Sequence, residues 1–168
     1  MMRTEYDVVA LGELLIDFTA QGTGADGYPL MAAHPGGAPA NFLAAIARLG
    51  GRTALLSKVG ADAFGAMLTK TLREAGVDMR GVVMADDAFT TLAFVTLDAR
   101  GERSFSFARK PGADTQLRAE ELDLSLLEKT KAFHFGTLSL TDEPARGATR
   151  RAVAFAKEHG KLITFDPN

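Results

Sequence analysis

Runs of β-forming, mostly apolar residues recur at Tyr6 to Phe18, Thr53 to Gly60, Lys131 to Leu140 and Lys161 to Phe165, with helically spaced stretches between them, and that alternation restricts the chain to few folds. Strands apolar on both faces belong to sheets covered on both sides, and the order β, α, β, α favours a parallel sheet with crossover helices. The first run, YDVVALGELLIDF, is long enough for a buried strand that continues past Gly12 into a second, more exposed one. In HPGGAPANFLAAIARLGG the residues Phe42, Ile46 and Leu49 recur at helical spacing and Gly50 with Gly51 supply a stop, which predicts a buried amphipathic helix. DAFGAMLTKTLREAG places Phe64, Leu68 and Leu72 on one helix face, with Gly76 after its end. LRAEELDLSLLEKT also reads as helical, EPARGATRRAVAFAKEHG as a helix opened by Pro144 and closed by Gly160, and KLITF as a final buried strand.

Between Val77 and Arg109 the pattern changes to short alternating runs, VVMA, TLAFVTL and RSFSFAR, the last two joined by a turn at Asp98 to Gly101. The expectation is one α/β domain over 1–168, into which residues of roughly 14–35 and 78–109 insert a small antiparallel appendage.

Composition excludes several functions. The 168 residues, 46% hydrophobic and 24% charged, suit a folded globular chain, which at this length buries about 70% of its unfolded surface. A net charge of -2, from 19 basic and 21 acidic residues mixed along the chain, provides no stripe for nucleic acid. No apolar run reaches the ~20 residues that cross a bilayer. MMRTEYD followed by VVALGELLI does not read as a signal peptide, so a cytoplasmic location and no membrane partner are expected. With no cysteine, thiolate metal sites and thiol nucleophiles are excluded.

Several motifs carry chemistry. GTGADG at Gly22 to Gly27 has dinucleotide-fingerprint spacing, but Tyr28, Pro29 and Leu30 continue it into an extended segment instead of the helix that would face a pyrophosphate. A surface loop is the better reading. Gly36 and Gly37 stand before a helix N-terminus, where glycine lets a ligand approach unpaired N–H groups. Asn41, with amide donors and an acceptor, suits neutral hydroxyls, although polar residues also cap helices. Asp17 lies inside a β-rich run, either at an exposed edge or turned into the same cleft as Asn41, where a carboxylate can accept from two vicinal hydroxyls. His34, His134 and His159 lack metal-ligand spacing, and Ser57 and Ser139 lack a nucleophile elbow. Arg109 and Lys110 close the hairpin, either solvated or placing positive charge over a ligand.

Taken together, ALGELLIDF, PGGAPANFLAAIARLGG, KVGADAFG, TTLAFVTLDARGERSFSFARKPGAD, FHFGTLSL and FDPN resemble the ribokinase-like (PfkB) sugar kinases, and the fructokinases most closely. The resemblance implies an α/β fold with a ribokinase-like parallel sheet flanked by helices and a small antiparallel β lid, the sugar lying between the lid and the carboxyl ends of the strands. It implies that Asp17, Gly37 and Asn41 hold sugar hydroxyls, that Gly36 gives room, that Phe107 and Arg109 reach down from the lid, and that Asp166 and Asn168 line the same cleft. It further implies a homodimer formed through the lid, with ATP and magnesium as cofactors. The nucleotide-binding half, the metal-associated segment and the anion hole with the catalytic aspartate belong after a segment like FDPN. A continuation beyond Asn168 is therefore expected, with no catalytic or metal-binding residue in this chain, which alone should be inactive. The reading is the sugar-binding part of an ATP-dependent fructokinase. Alternatives are a kinase of 2-keto-3-deoxygluconate or a related sugar acid, for which Arg109 could pair with a carboxylate, or a non-catalytic sugar-binding module.

Overall fold

The computed structural model describes residues 4–97 and 102–167; the turn expected at 98–101 and Asn168 lie outside them. In chain order the elements are β1 (Tyr6–Leu11), β2 (Leu15–Thr23), β3 (Pro29–Gly36), α1 (Ala38–Arg48), β4 (Thr53–Gly60), α2 (Ala63–Glu74), β5 (Val77–Asp78), β6 (Val82–Ala85), β7 (Leu92–Leu97), β8 (Arg103–Ala108), α3 (Leu124–Glu128), β9 (Thr130–Gly136), α4 (Ala145–Glu158) and β10 (Leu162–Asp166).

The main sheet runs β10-β9-β1-β4-β5, with β6 also paired to β4, and every pairing in it is parallel. All eight residues of β4 are buried, and the alternation of its side chains builds two cores. Leu56, with Val9, Leu11 and Phe133, packs beneath α3 and α4, while Leu55 and Val59, with Leu14, Leu43, Leu68 and Leu72, pack beneath α1 and α2. A sheet covered on both faces explains why these strands lack polar alternation.

β2 and β3 form one antiparallel hairpin and β7 and β8 another, and β2 pairs with β7 in parallel, so this second sheet runs β3-β2-β7-β8. The appendage is thus not wholly antiparallel, because its two hairpins come from distant parts of the chain and meet side by side. VVMA does not belong to it, since Val82 to Ala85 pairs with Ser57 to Gly60 of the main sheet. Phe18 seats the appendage on α2, stacking on Phe94 at 5.3 Å and meeting the edge of Phe64 at 5.7 Å. Gly22 to Gly27 closes the β2–β3 hairpin, where Gly24 N–H bonds to the Tyr28 carbonyl at 2.8 Å and no helix follows.

Three local expectations need correction. α1 buries Pro39, Ala40 and Leu43 against the sheet, whereas Phe42 lies against the His134 ring at 4.3 Å and Leu49 is 88% exposed. Small residues let this helix approach the sheet, so its bulkier apolar stripe points elsewhere. Leu117 to Thr130 holds two short pieces, a 3-10 turn at Ala119–Glu121 and α3, because Asp123 accepts from the Ser125 N–H and starts a new helix. β10 is an edge strand with Leu162 65% and Phe165 48% exposed, since β9 is its only sheet neighbour among the described residues.

Candidate functional site

The carboxyl ends of β1 and β9, the start of α1 and the strands β2 and β8 enclose a cleft of about 550 Å³, lined by Glu13, Asp17, Gly37, Asn41, Phe107 and Thr137 among others. An α/β sheet presents its crevice at this end of the strands, and here the second sheet forms the opposite wall.

Asp17 enters from β2, and no hydrogen bond reaches its carboxyl among the described residues. Burial raises its pKa, opposed by the charge of His34, its cross-strand partner. Gly36, at the end of β3, makes this placement possible: a Cβ there would overlap Asp17 Oδ2 and press on Leu15. Gly36 therefore makes room for the carboxylate. Gly37, with φ of 109°, lies in the left-handed region, and a Cβ would strike the Glu13 carbonyl, so the chain turns into α1 only with glycine. One turn later Asn41 projects its amide into the cleft, exposed and without a protein partner among the described residues. Phe105 and Phe107, on the same face of β8 with centroids 6.2 Å apart, supply an apolar wall.

Arg109 is placed differently from its expectation. It is absent from this cleft and lines a separate hollow with Lys110, Pro111 and Asp142, to which Phe107 also contributes. Its side chain is 9% exposed; Nη2 lies 2.7 Å from Asp114 Oδ2, and Nε donates to that oxygen at 2.8 Å. Nη1 donates to Thr141 Oγ1 and Nη2 to the Leu138 carbonyl, each at 2.9 Å. The Thr91 hydroxyl completes the network by donating to Asp114 Oδ1. The guanidinium thus ties the end of β8 to the 112–116 turn and to the loop after β9, where Leu138 borders the cleft. Asp166, exposed at the end of β10, is also not a lining residue; its carbonyl accepts from the Thr137 hydroxyl at 3.3 Å, so it adjoins the cleft through Thr137.

Glu13 is the cleft residue that sequence reasoning missed. It is 3% exposed, Oε1 accepts from the Ala38 N–H at 2.9 Å, and Oε2 is buried without a partner. Its burial raises its pKa. The signal was present, since a second carboxylate interrupts the same apolar run four residues before Asp17.

A helix-flanked parallel sheet, with a separate four-stranded sheet standing over its carboxyl edge and a polar cleft between them, defines the ribokinase-like class of α/β proteins. The chain belongs within that class to the pfkB family of carbohydrate kinases, whose sequence profile matches residues 6–168. It is 50% identical over 163 residues to fructokinase-1 of Zea mays and 48% identical over 163 residues to the probable fructokinase-3 of Arabidopsis thaliana, covering 96% of this chain each time and 50% and 47% of the relatives. The structure of fructokinase from Xylella fastidiosa superimposes with a TM-score of 0.91 at 39% identity, covering 96% of this chain and 50% of that one. A putative ribokinase II from E. coli in complex with ATP and Mg²⁺ gives 0.87 at 34% identity, covering 97% of this chain and 53% of that one. The chain spans about half the length of the curated relatives it matches.

Proposed function

We propose that this chain is the sugar-binding part of an ATP-dependent fructokinase, and that alone it binds fructose without phosphorylating it. The observation that carries the reading is the cleft in which the Asp17 carboxyl and the Asn41 amide, neither with a partner among the described residues, face the aromatic wall of Phe105 and Phe107. A carboxylate accepts from two neighbouring hydroxyls, an amide both donates and accepts, and an aromatic surface covers the apolar side of a sugar. Arg109 is committed to Asp114, Thr141 and Leu138, so the charge that would favour a sugar acid does not face this cleft.

Among the solved relatives, the putative ribokinase II from E. coli is in complex with ATP and Mg²⁺. Among the described residues no set of three or more His, Asp or Glu could hold a metal ion. Our reading assigns this chain to holding and orienting the sugar, and the phosphoryl-transfer groups to a further half. Calorimetry should detect fructose binding, while a coupled assay with fructose, ATP and magnesium should show no turnover above background. Absence of fructose binding would refute the first part, and appreciable turnover the second.

We also assign the lid to a homodimer and the chain to the cytoplasm. Support for the dimer is the open edge of β3 with Tyr28 71% exposed, joined by exposed Leu30 and Met31. Among the described residues no helix is long and apolar enough to cross a membrane. Sedimentation should give a dimer for the parent and a monomer for the Tyr28→Ser, Leu30→Ser variant; a monomeric parent would refute this assembly.

A further inference from the structure

The carboxyl of Glu13 joins the two segments that shape the cleft. It leaves β1 at the turn into β2, and Oε1 holds the Ala38 N–H, the first of α1. The contact is reinforced from the backbone, where the Glu13 carbonyl occupies the space a side chain at position 37 would need. Asn41 N–H in turn bonds to the Gly37 carbonyl at 3.0 Å, so whatever fixes residues 37 and 38 fixes the turn that carries the Asn41 amide.

We propose that Glu13 is a positioning residue for the sugar cleft, its carboxyl locking the first turn of α1 so that Gly37 and Asn41 are held ready for ligand. This rests on the sugar-binding reading above. Burial favours the uncharged form of this carboxyl, and the Ala38 N–H favours the charged one. Oε2 is enclosed with no partner, and a buried oxygen left unpaired is far more costly as part of a carboxylate than as part of a neutral acid. The charged groups acting on it are Asp114, which disfavours ionisation further, and Arg109, which favours it but is engaged by Asp114 itself. Asp17, with His34 beside it, shares the cleft and adds no donor to Oε2. Because burial raises the pKa of Glu13 against the opposing pull of the Glu13 and Ala38 N–H groups, ionisation of this carboxyl destabilises the folded arrangement as pH rises through that folded value.

Glutamine separates charge from hydrogen bonding, since its carbonyl still accepts from Ala38 and it cannot ionise. The experiment follows protection of the Ala38 amide against hydrogen exchange and calorimetric fructose affinity, for the parent chain, Glu13→Gln and Glu13→Ala, between about pH 5 and 9. Glu13→Gln should keep parental Ala38 protection to within about threefold near neutrality and lose the alkaline decline that the parent shows. Glu13→Ala should unfold cooperatively but lose at least about tenfold in both quantities. Unchanged Ala38 protection in a folded Glu13→Ala overturns the proposal, as does a Glu13→Gln that keeps the parental alkaline decline or falls with the alanine variant. Should alanine prevent folding, the glutamine pH profile still decides. If Ala38 protection responds as expected but the parent binds no fructose, the fructose reading fails and the lock on α1 stands.

Discussion

Replacing Arg109 with methionine should lower the melting temperature by about 10 °C. The Asp114 side chain is only 4% exposed, and without the guanidinium its carboxylate keeps the Thr91 hydroxyl but loses its neutralising charge. Breaking one side of a buried ion pair costs about 3–5 kcal/mol, and for a chain of this size each kcal/mol shifts the midpoint by roughly 2–4 °C. Scanning calorimetry of Arg109→Met against Arg109→Met, Asp114→Leu makes the comparison, because removing both partners should recover most of the loss. Fructose affinity measured below the transition should change by less than about threefold, since Arg109 does not line the cleft. A melting temperature within a degree or two of the parent would show that the network is not a stabilising clamp.

Asp17→Asn should have the opposite profile, with fructose affinity falling by about 100-fold while the folded state gains. Charge-assisted hydrogen bonds contribute about 1.5–3 kcal/mol each, and an amide replaces one carboxylate acceptor by a donor. An acid whose folded pKa is raised holds its proton more tightly when folded, so its ionisation destabilises the fold as pH rises through the folded value, a penalty asparagine escapes. The same shift predicts that sugar affinity weakens on acidification at a higher pH than for an ordinary aspartate. Titration across pH with calorimetry checks both statements. An Asp17→Asn chain that binds fructose as well as the parent would remove Asp17 from the sugar site, and Asn41→Ala serves as the milder comparator.

Much of this was legible in the residues. The parallel sheet and its crossover helices followed from alternating apolar runs, and the placement of Asp17, Gly37, Asn41 and Phe107 around one cleft is what the resemblance implied where the residues alone left it open. Sequence misled where tertiary context outweighs local pattern. Phe42 and Leu49 look like the core stripe of α1, yet the sheet accepts Ala40 and Leu43, because close approach rewards small side chains over large ones. KLITF is apolar enough for a central strand and is found at an edge. Arg109 was open between a solvated residue and the ligand contact that the resemblance implies, and it is found in neither place, since Asp114, five residues on, holds it. Glu13 was overlooked because a glutamate in an apolar run reads as an exception until its partner, a backbone N–H 25 residues away, comes into view.

Every pairing in the main sheet is parallel, and β9 is the one sheet neighbour of β10 among the described residues. A further strand laid beside β10 in the same direction would bring its own carboxyl end to the side on which the cleft opens. Residues following such a strand would stand over the same crevice, so growth of the sheet along this margin adds groups to the existing cleft and creates no second one.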